Sequence, residues 1–295
     1  MGNPFRYAMC NEAFEAPHSG GRYAQSDPKS FAAVCRVLRA AGYDGIEIAP
    51  FTLAADPLDI DAAKRREYRN IMANEGVAFA GLHWLLVTPK KIHVTTPDTA
   101  LRTESWTYVR NLVDLCADLG GTDSDNGVMV FGSPKQRSST GGLTAAEATR
   151  NFMDGMASIA PRAAERGVSL LMEALPKSQS DVVNTLADAA EVVRQIASPA
   201  VHTMFDCHNA EDETAAHDVL IEQYFSEIRH VHVNEMDGRH PGTGDYDFVS
   251  IFRALDRLDY QGWISLEAFD FEIGGERIAS ETIDYLRSKE ALIRQ

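Results

Sequence analysis

Eight short apolar runs, each followed by a stretch with helical spacing, constrain this chain more than any other feature. The runs cover residues 5–10, 44–49, 77–84, 128–132, 168–174, 201–206, 228–233 and 263–267. Helix-like segments follow at 31–41, 60–76, 99–119, 144–166, 185–196, 219–225, 248–258 and 278–293. The run at 228–233 alternates polar and apolar residues between helix-like segments, the pattern of a short strand inside a β/α architecture. The helices carry their own end signals. Ser30 stands as N-cap and Gly42 as stop for the first, and Thr144 with Glu147 forms a capping box for the one at 144–166. Strand–helix alternation with no linker or low-complexity break predicts an α/β chain, a closed (β/α)8 barrel forming one domain over 1–295. The competing open, doubly wound sheet would want a glycine-rich phosphate turn after its first strand, and CNEAFEAPHSGG from Cys10 is a poor one.

Composition narrows the function classes. A length of 295 residues suits one such barrel. A net charge of −15 with no polybasic run argues against nucleic acid as partner, because phosphate binding is dominated by cations. No apolar run reaches the ~18 residues a membrane span needs. The start, MGNPFRYAMC, lacks the basic-then-apolar order of a secretion signal, and Gly2 lacks the hydroxyl residue that myristoylation wants further on. Cys10, Cys35, Cys116 and Cys207 are scattered without a CxxC pair, which predicts reduced thiols and a cytoplasmic protein. Cys35 and Cys116 fall on apolar helix faces and read as core.

The strand ends carry the chemistry. Four successive runs end in Glu173, Asp206, His232 and Glu267, and in a parallel barrel such ends share one C-terminal mouth. Taken singly, each would serve equally well as a cap, an ion-pair partner or a satisfied core group. Together, three carboxylates in one mouth repel unless a cation sits between them. Three oxygen donors and one imidazole form a harder set than structural zinc favours, so one divalent ion is expected: Mn²⁺ first, with Mg²⁺ or Co²⁺ also suited.

Glu173 in LLMEAL, Asp206 in MFDCHN, His232 in HVHVNE with PGTGDYDF after it, and Glu267 in SLEAFDF resemble the xylose-isomerase-like TIM-barrel superfamily. More closely they resemble its sugar phosphate isomerase/epimerase group, which includes ketose 3-epimerases, hydroxypyruvate isomerase and inosose dehydratase. The resemblance covers essentially the whole chain and is most specific from Val168 onward. It implies one metal held by Glu173, Asp206, His232 and Glu267, with Glu173 and Glu267 also the catalytic acid/base pair. It implies a sugar or keto-sugar substrate and assembly as dimers or tetramers. The expected activity is that of a metal-dependent isomerase or epimerase working through an enediolate. The alternative is a lyase or dehydratase that expels a β-substituent from a 3-keto-sugar or inosose with the same site. An endonuclease for abasic DNA shares the barrel but would need further metal ligands and a basic face; a non-catalytic sugar-binding barrel would not need the acid/base pair.

The sequence departs from the ketose 3-epimerase pattern where substrate is gripped. Asn209 stands where those enzymes have a histidine, with His208 one place earlier; Gln179 replaces a glutamate, and Gly238, followed by Arg239, replaces an arginine. His208, Asn209 and Arg239 are therefore expected substrate contacts of an altered kind. His83 and Trp84 would form a wall of a sugar pocket, although a core Trp beside a hydrogen-bonded His reads as well. Lys135, Arg137, Lys177 and His240 would bring cations to the mouth, or be solvated loop charge. Glu12 and Glu47 could bind hydroxyls, PGTG could approach a phosphate, and His202 and His230 could fill lower barrel layers. DSDNG at 123–127 reads as a turn rather than a calcium loop.

Overall fold

Each apolar run becomes a strand, and each strand pairs in parallel with the next. The computed structural model describes residues 4–15, 22–121 and 127–295. The strands are β1 (Arg6–Cys10), β2 (Gly45–Ile48), β3 (Ala78–Leu82), β4 (Val128–Phe131), β5 (Ser169–Met172), β6 (Val201–Asp206), β7 (Ile228–Val233) and β8 (Trp263–Leu266). Their order is sequential, and β8 returns to β1 with Arg6 opposite Trp263 and Met9 opposite Leu266, closing the barrel. The helices are α1 (Pro28–Ala41), α2 (Ala62–Glu75), α3 (Thr99–Gly120), α4 (Pro134–Arg137), α5 (Ala145–Arg166), α6 (Leu186–Ile196), α7 (His217–Tyr224), α8 (Phe248–Arg257) and α9 (Gly275–Ile293).

Local chemistry sets the helix ends. Thr144 and Glu147 satisfy each other's backbone donors in the expected capping box, and Thr185 with Asp188 builds a second. The cap of α1 is Asp27, whose carboxylate accepts from the Ser30 amide, so the expected Ser30 cap lies three residues inside the helix. Asp leads Ser here because Pro28 can occupy only the first turn. Gly42 ends α1 at φ 108°, a conformation that favours glycine. The loop after β4 contains the short α4, and α9 starts three residues before the expected 278. The expected turn at 123–127 lies, apart from Gly127, outside the described residues. Among the described residues no helix is long and apolar enough to cross a membrane.

The main apolar core lies between strands and helices and takes in Cys35 and Cys116 as expected. All four cysteines are buried, and none is in a disulfide. The lumen is separate: Ala8, Ala80 and Trp263 form one small cluster, and Val128, Val130, Leu171 and Met204 another. Trp263 needs the small neighbours, since a Cβ on Gly45 would lie 2.8 Å from its ring. Toward the C-terminal end the lumen turns polar, and there the side chains of Glu47, His230 and His232 are fully buried. His202, by contrast, is partly exposed and its ring meets the Pro199 carbonyl at 3.0 Å.

Candidate metal centre and active site

Glu173, Asp206, His232 and Glu267 each offer one ligand atom, and these atoms lie within 4.8 Å of one another. The reason is topological: β5 to β8 are adjacent, Asp206 ends β6, Glu173 and Glu267 come just past β5 and β8, and His232 is the last residue but one of β7. His232 Nδ1 is 3.0 Å from Glu267 Oε2 and 3.4 Å from Asp206 Oδ2. Donors held at ~2.1 Å around one octahedral ion are spaced by about 3 Å, so the set matches a single small divalent cation.

Electrostatics point the same way. Burial, followed by the charges of Glu267 and Asp206, pushes the Glu173 carboxyl up to about 8. Burial alone would keep the His232 ring neutral, but the Glu47 and Glu267 carboxylates hold it well above its ordinary range. Both shifts are symptoms of negative charge gathered in a dry place, which a cation relieves. The hard donor set fits Mn²⁺, Mg²⁺ or Co²⁺.

A layer of supporting contacts orients these groups. Asn209 Nδ2 donates to Glu173 Oε1 at 2.9 Å, and Gln179 Nε2 donates to Asn209 Oδ1 at 3.0 Å. The Asn209 amide donates to Asp206 Oδ1 at 2.8 Å, and Asn234 Nδ2 reaches the same carboxylate at 3.3 Å. Trp84 Nε1 donates to Glu267 Oε1 at 2.6 Å. Beneath the site, Glu47 takes His232 Nε2 at 3.1 Å and His230 Nε2 at 2.8 Å. With Nε2–H engaged below, His232 turns Nδ1 toward the acids. Gly132, at the end of β4, clears the other side: a Cβ there would stand 2.3 Å from Glu173 Oε2.

In front of the carboxylates lies a cleft of about 720 Å³, lined among others by Trp84, Lys135, Glu173, Gln179, Asn209, Glu267 and Phe269. The remaining expected contacts fall outside its lining. His83 is fully buried and bonds Glu12 Oε2 at 2.7 Å, so only Trp84 of that pair reaches the cleft. Lys177 is exposed, and its backbone amide, 2.6 Å from Asp212 Oδ2, turns the loop away. Arg239 pairs with its neighbour Asp237 at 2.7 Å, and His208 meets the Met236 carbonyl at 2.8 Å with its ring against Phe269. Arg137 is buried rather than a mouth cation: its guanidinium donates to the carbonyls of Phe131 at 2.8 Å and Glu173 at 2.7 Å, joining β4 to β5. Nor does PGTG form a phosphate cradle, because the Gly242 amide already donates to Glu235 Oε1 at 2.8 Å. Glu12 and Glu47 bind histidines rather than line the cleft.

Glu47, Asn234 and Phe269 were not foreseen in these roles. The signal for Glu47 was a carboxylate flanked by Ile46 and Ile48 in the middle of a strand-like run, which needs a buried partner. Phe269, two residues past Glu267, stacks on Trp84 with centroids 6.3 Å apart and 17° between planes; nothing in the sequence marked that contact.

Comparison with known proteins places the fold. L-ribulose 3-epimerase of Methylomonas sp. (strain DH-1) is 27% identical over 264 residues, spanning 89% of this chain and 85% of the relative. A solved structure of an L-ribulose 3-epimerase superposes with a TM-score of 0.79 at 21% identity, covering 99% of this chain and 96% of the other. The D-psicose 3-epimerase of Clostridium cellulolyticum H10, solved with D-tagatose, gives a TM-score of 0.79 at 17% identity, covering 97% and 99%. The family model described as xylose isomerase-like TIM barrel matches residues 35–289. On the strength of that match, this chain belongs to the xylose isomerase-like TIM barrel family.

Proposed function

We propose that the protein is a metal-dependent sugar isomerase or epimerase that moves a proton next to the carbonyl of a keto-sugar. The observation that carries this is the pair Glu173 and Glu267, two buried carboxylates from separate strands facing one cleft. A base that removes a proton from carbon works best when its pKa lies near the working pH, and burial among like charges is the way a carboxyl reaches that range. Glu173 is held by Asn209 on Oε1, leaving Oε2 for the proton. Glu267 is fixed on both oxygens, by Trp84 and by His232. One carboxylate takes the proton from the carbon beside the carbonyl, and the negative charge passes to the carbonyl oxygen. The other returns a proton to the opposite face, inverting that carbon, or the first delivers its proton to the former carbonyl carbon while the adjacent hydroxyl's proton passes to the former carbonyl oxygen, moving the carbonyl.

A divalent ion held by Glu173, Asp206, His232 and Glu267 would supply the Lewis acid that stabilises the developing oxyanion. Trp84 and Phe269 offer aromatic faces to the C–H surface of a sugar and keep bulk water from the carboxylates. Its relatives, ketose and L-ribulose 3-epimerases and 2-oxo-tetronate isomerases, support this class of chemistry. The buried thiols, none in a disulfide, suit a reducing cytoplasm.

The test is incubation of the Mn²⁺-loaded protein with keto-sugars in D₂O. Deuterium at the carbon beside the carbonyl, with an epimer or isomer appearing, is the expected result. A new enone absorbance with loss of a β-substituent would assign the site to elimination instead, since both outcomes start with the same deprotonation. No deuterium uptake from any keto-sugar would overturn the proposal.

A further inference from the structure

A second group of potential ligands lies in the lumen beside the four already described. Cys10 ends β1, Glu12 sits in the single turn that follows it (Asn11–Phe14), and His83 comes just past β3. Cys10 Sγ, a Glu12 carboxylate oxygen and a His83 ring nitrogen lie within 4.8 Å of one another. All three side chains are buried, His83 completely. The turn that carries Glu12 is pinned by its neighbour. Asn11 Nδ2 donates to Gln25 Oε1 and Thr52 Oγ1, each at 2.8 Å, and Asn11 Oδ1 accepts from the Ala49 amide at 2.8 Å.

Hydrogen bonding leaves this group incomplete. Glu12 Oε2 meets His83 Nε2 at 2.7 Å, but Glu12 Oε1 and His83 Nδ1 have no hydrogen-bond partner among the described residues. Glu47 Oε1 stands 3.8 Å from Nδ1, too far for a hydrogen bond. A buried His–Glu pair that served packing alone would not be expected to leave two polar atoms unsatisfied. Among the described residues Cys10 is also the only cysteine that falls in a group of three or more potential ligands.

We propose that Cys10, Glu12 and His83 bind a second divalent ion, Zn²⁺ by preference. One thiolate, one imidazole and one carboxylate form a softer set than Glu173, Asp206, His232 and Glu267. Thiolate selects zinc, whereas the oxygen-rich set suits Mn²⁺, so Mn²⁺ stays at the first site. The second ion takes the place of the proton between His83 Nε2 and Glu12 Oε2, and the Cys10 thiol gives up its proton; both protons leave to solvent. His83 Nδ1–H then faces the Glu47 carboxylate, which orients the ring as an outer carboxylate does for a metal-bound histidine. None of Cys10, Glu12 and His83 lines the cleft, so the ion ties β1 to β3 and touches no substrate.

The experiment is an anaerobic titration of chelator-treated protein with Co²⁺, whose thiolate complexes give a charge-transfer band in the near ultraviolet that oxygen and nitrogen ligands do not. With the first site filled by excess Mn²⁺, the band is expected to appear and to saturate at one Co²⁺ per chain. Zn²⁺ should abolish it, and Asp206→Asn, which removes a ligand of the first ion only, should leave it in place. Cys10→Ser should abolish it. Glu12→Gln, which keeps an acceptor for His83, should weaken Co²⁺ binding by at least about tenfold, a loss that even outer-shell changes cause. No band in the wild type, or a band of undiminished strength in folded Cys10→Ser, would overturn the proposal. If Cys10→Ser does not fold, an affinity unchanged in Glu12→Gln overturns it equally. Each of these results leaves the isomerase reading standing, because no sulfur belongs to the first site.

Discussion

Replacing Glu173 by Gln should stabilise the metal-free protein while destroying its activity. The Glu173 carboxyl lies at about 8 in the fold against an ordinary value of 4.5. A folded pKa above the unfolded one gives a contribution that is fully present below the unfolded value and is lost as pH rises through the folded one. At pH 7 the unfolded carboxyl is ionised and the folded one protonated, so folding takes up a proton at a cost of about 3 kcal/mol, at ~1.4 kcal/mol per pKa unit. At pH 5 the same cost is only about 1 kcal/mol. Gln cannot titrate and keeps the Oε1 acceptor for Asn209 Nδ2, while its new N–H groups meet the acidic neighbours Asp206 and Glu267. Urea unfolding of chelator-treated protein at pH 5 and pH 7 measures the difference. The variant should be more stable at pH 7 by up to about 3 kcal/mol, with the gap closing at pH 5. Under saturating Mn²⁺ the order should reverse, because the wild type retains the full ligand set and gains more from the ion. A variant no more stable at pH 7 than the wild type, or a gap the same at both pH values, would refute the crowding of charge on which the site rests.

Three other substitutions probe the supporting contacts. Glu47→Gln should weaken Mn²⁺ binding about 10- to 100-fold by releasing the ring orientation of His232, while kcat at saturating metal changes little; titration calorimetry and saturation kinetics separate the two. Gly132→Ala should cut kcat/KM by at least about tenfold, since its Cβ would displace Glu173 Oε2 from 2.3 Å away; an unchanged rate would mean that Glu173 need not hold this position. Arg137→Leu leaves buried carbonyls of Phe131 and Glu173 unpaired and should cost about 3 kcal/mol or more in urea unfolding; a loss below ~1 kcal/mol would show that the guanidinium is not a structural link.

The architecture was legible because a parallel barrel writes itself as apolar runs of strand length, and the site because four of those runs end in ionisable groups. Loop geometry was less legible. Lys135 and Lys177 look alike in sequence, yet only Lys135 lines the cleft, because the chain after Leu175 turns so that the Lys177 amide meets Asp212. Arg137 read as a mouth cation from its place in a polar loop, but the short α4 carries it inward onto backbone carbonyls. His83 and Trp84 are adjacent and face opposite ways, into the lumen toward Glu12 and outward over Glu267; the positive φ of Trp84, 49°, marks the bend in the chain there. Such choices depend on tertiary packing, which the periodicity of a strand does not record.

Activity of the kind proposed depends most on one cation shared by Glu173, Asp206, His232 and Glu267. Titration of chelator-treated protein with Mn²⁺, followed by loss of the free-ion electron paramagnetic resonance signal, tests it most directly. The expected result is one tightly bound ion per chain, with the site lost in Asp206→Asn and in Glu267→Gln variants that remain folded. Failure of the wild type to bind, or a one-ion stoichiometry and affinity unchanged in both variants, would contradict it.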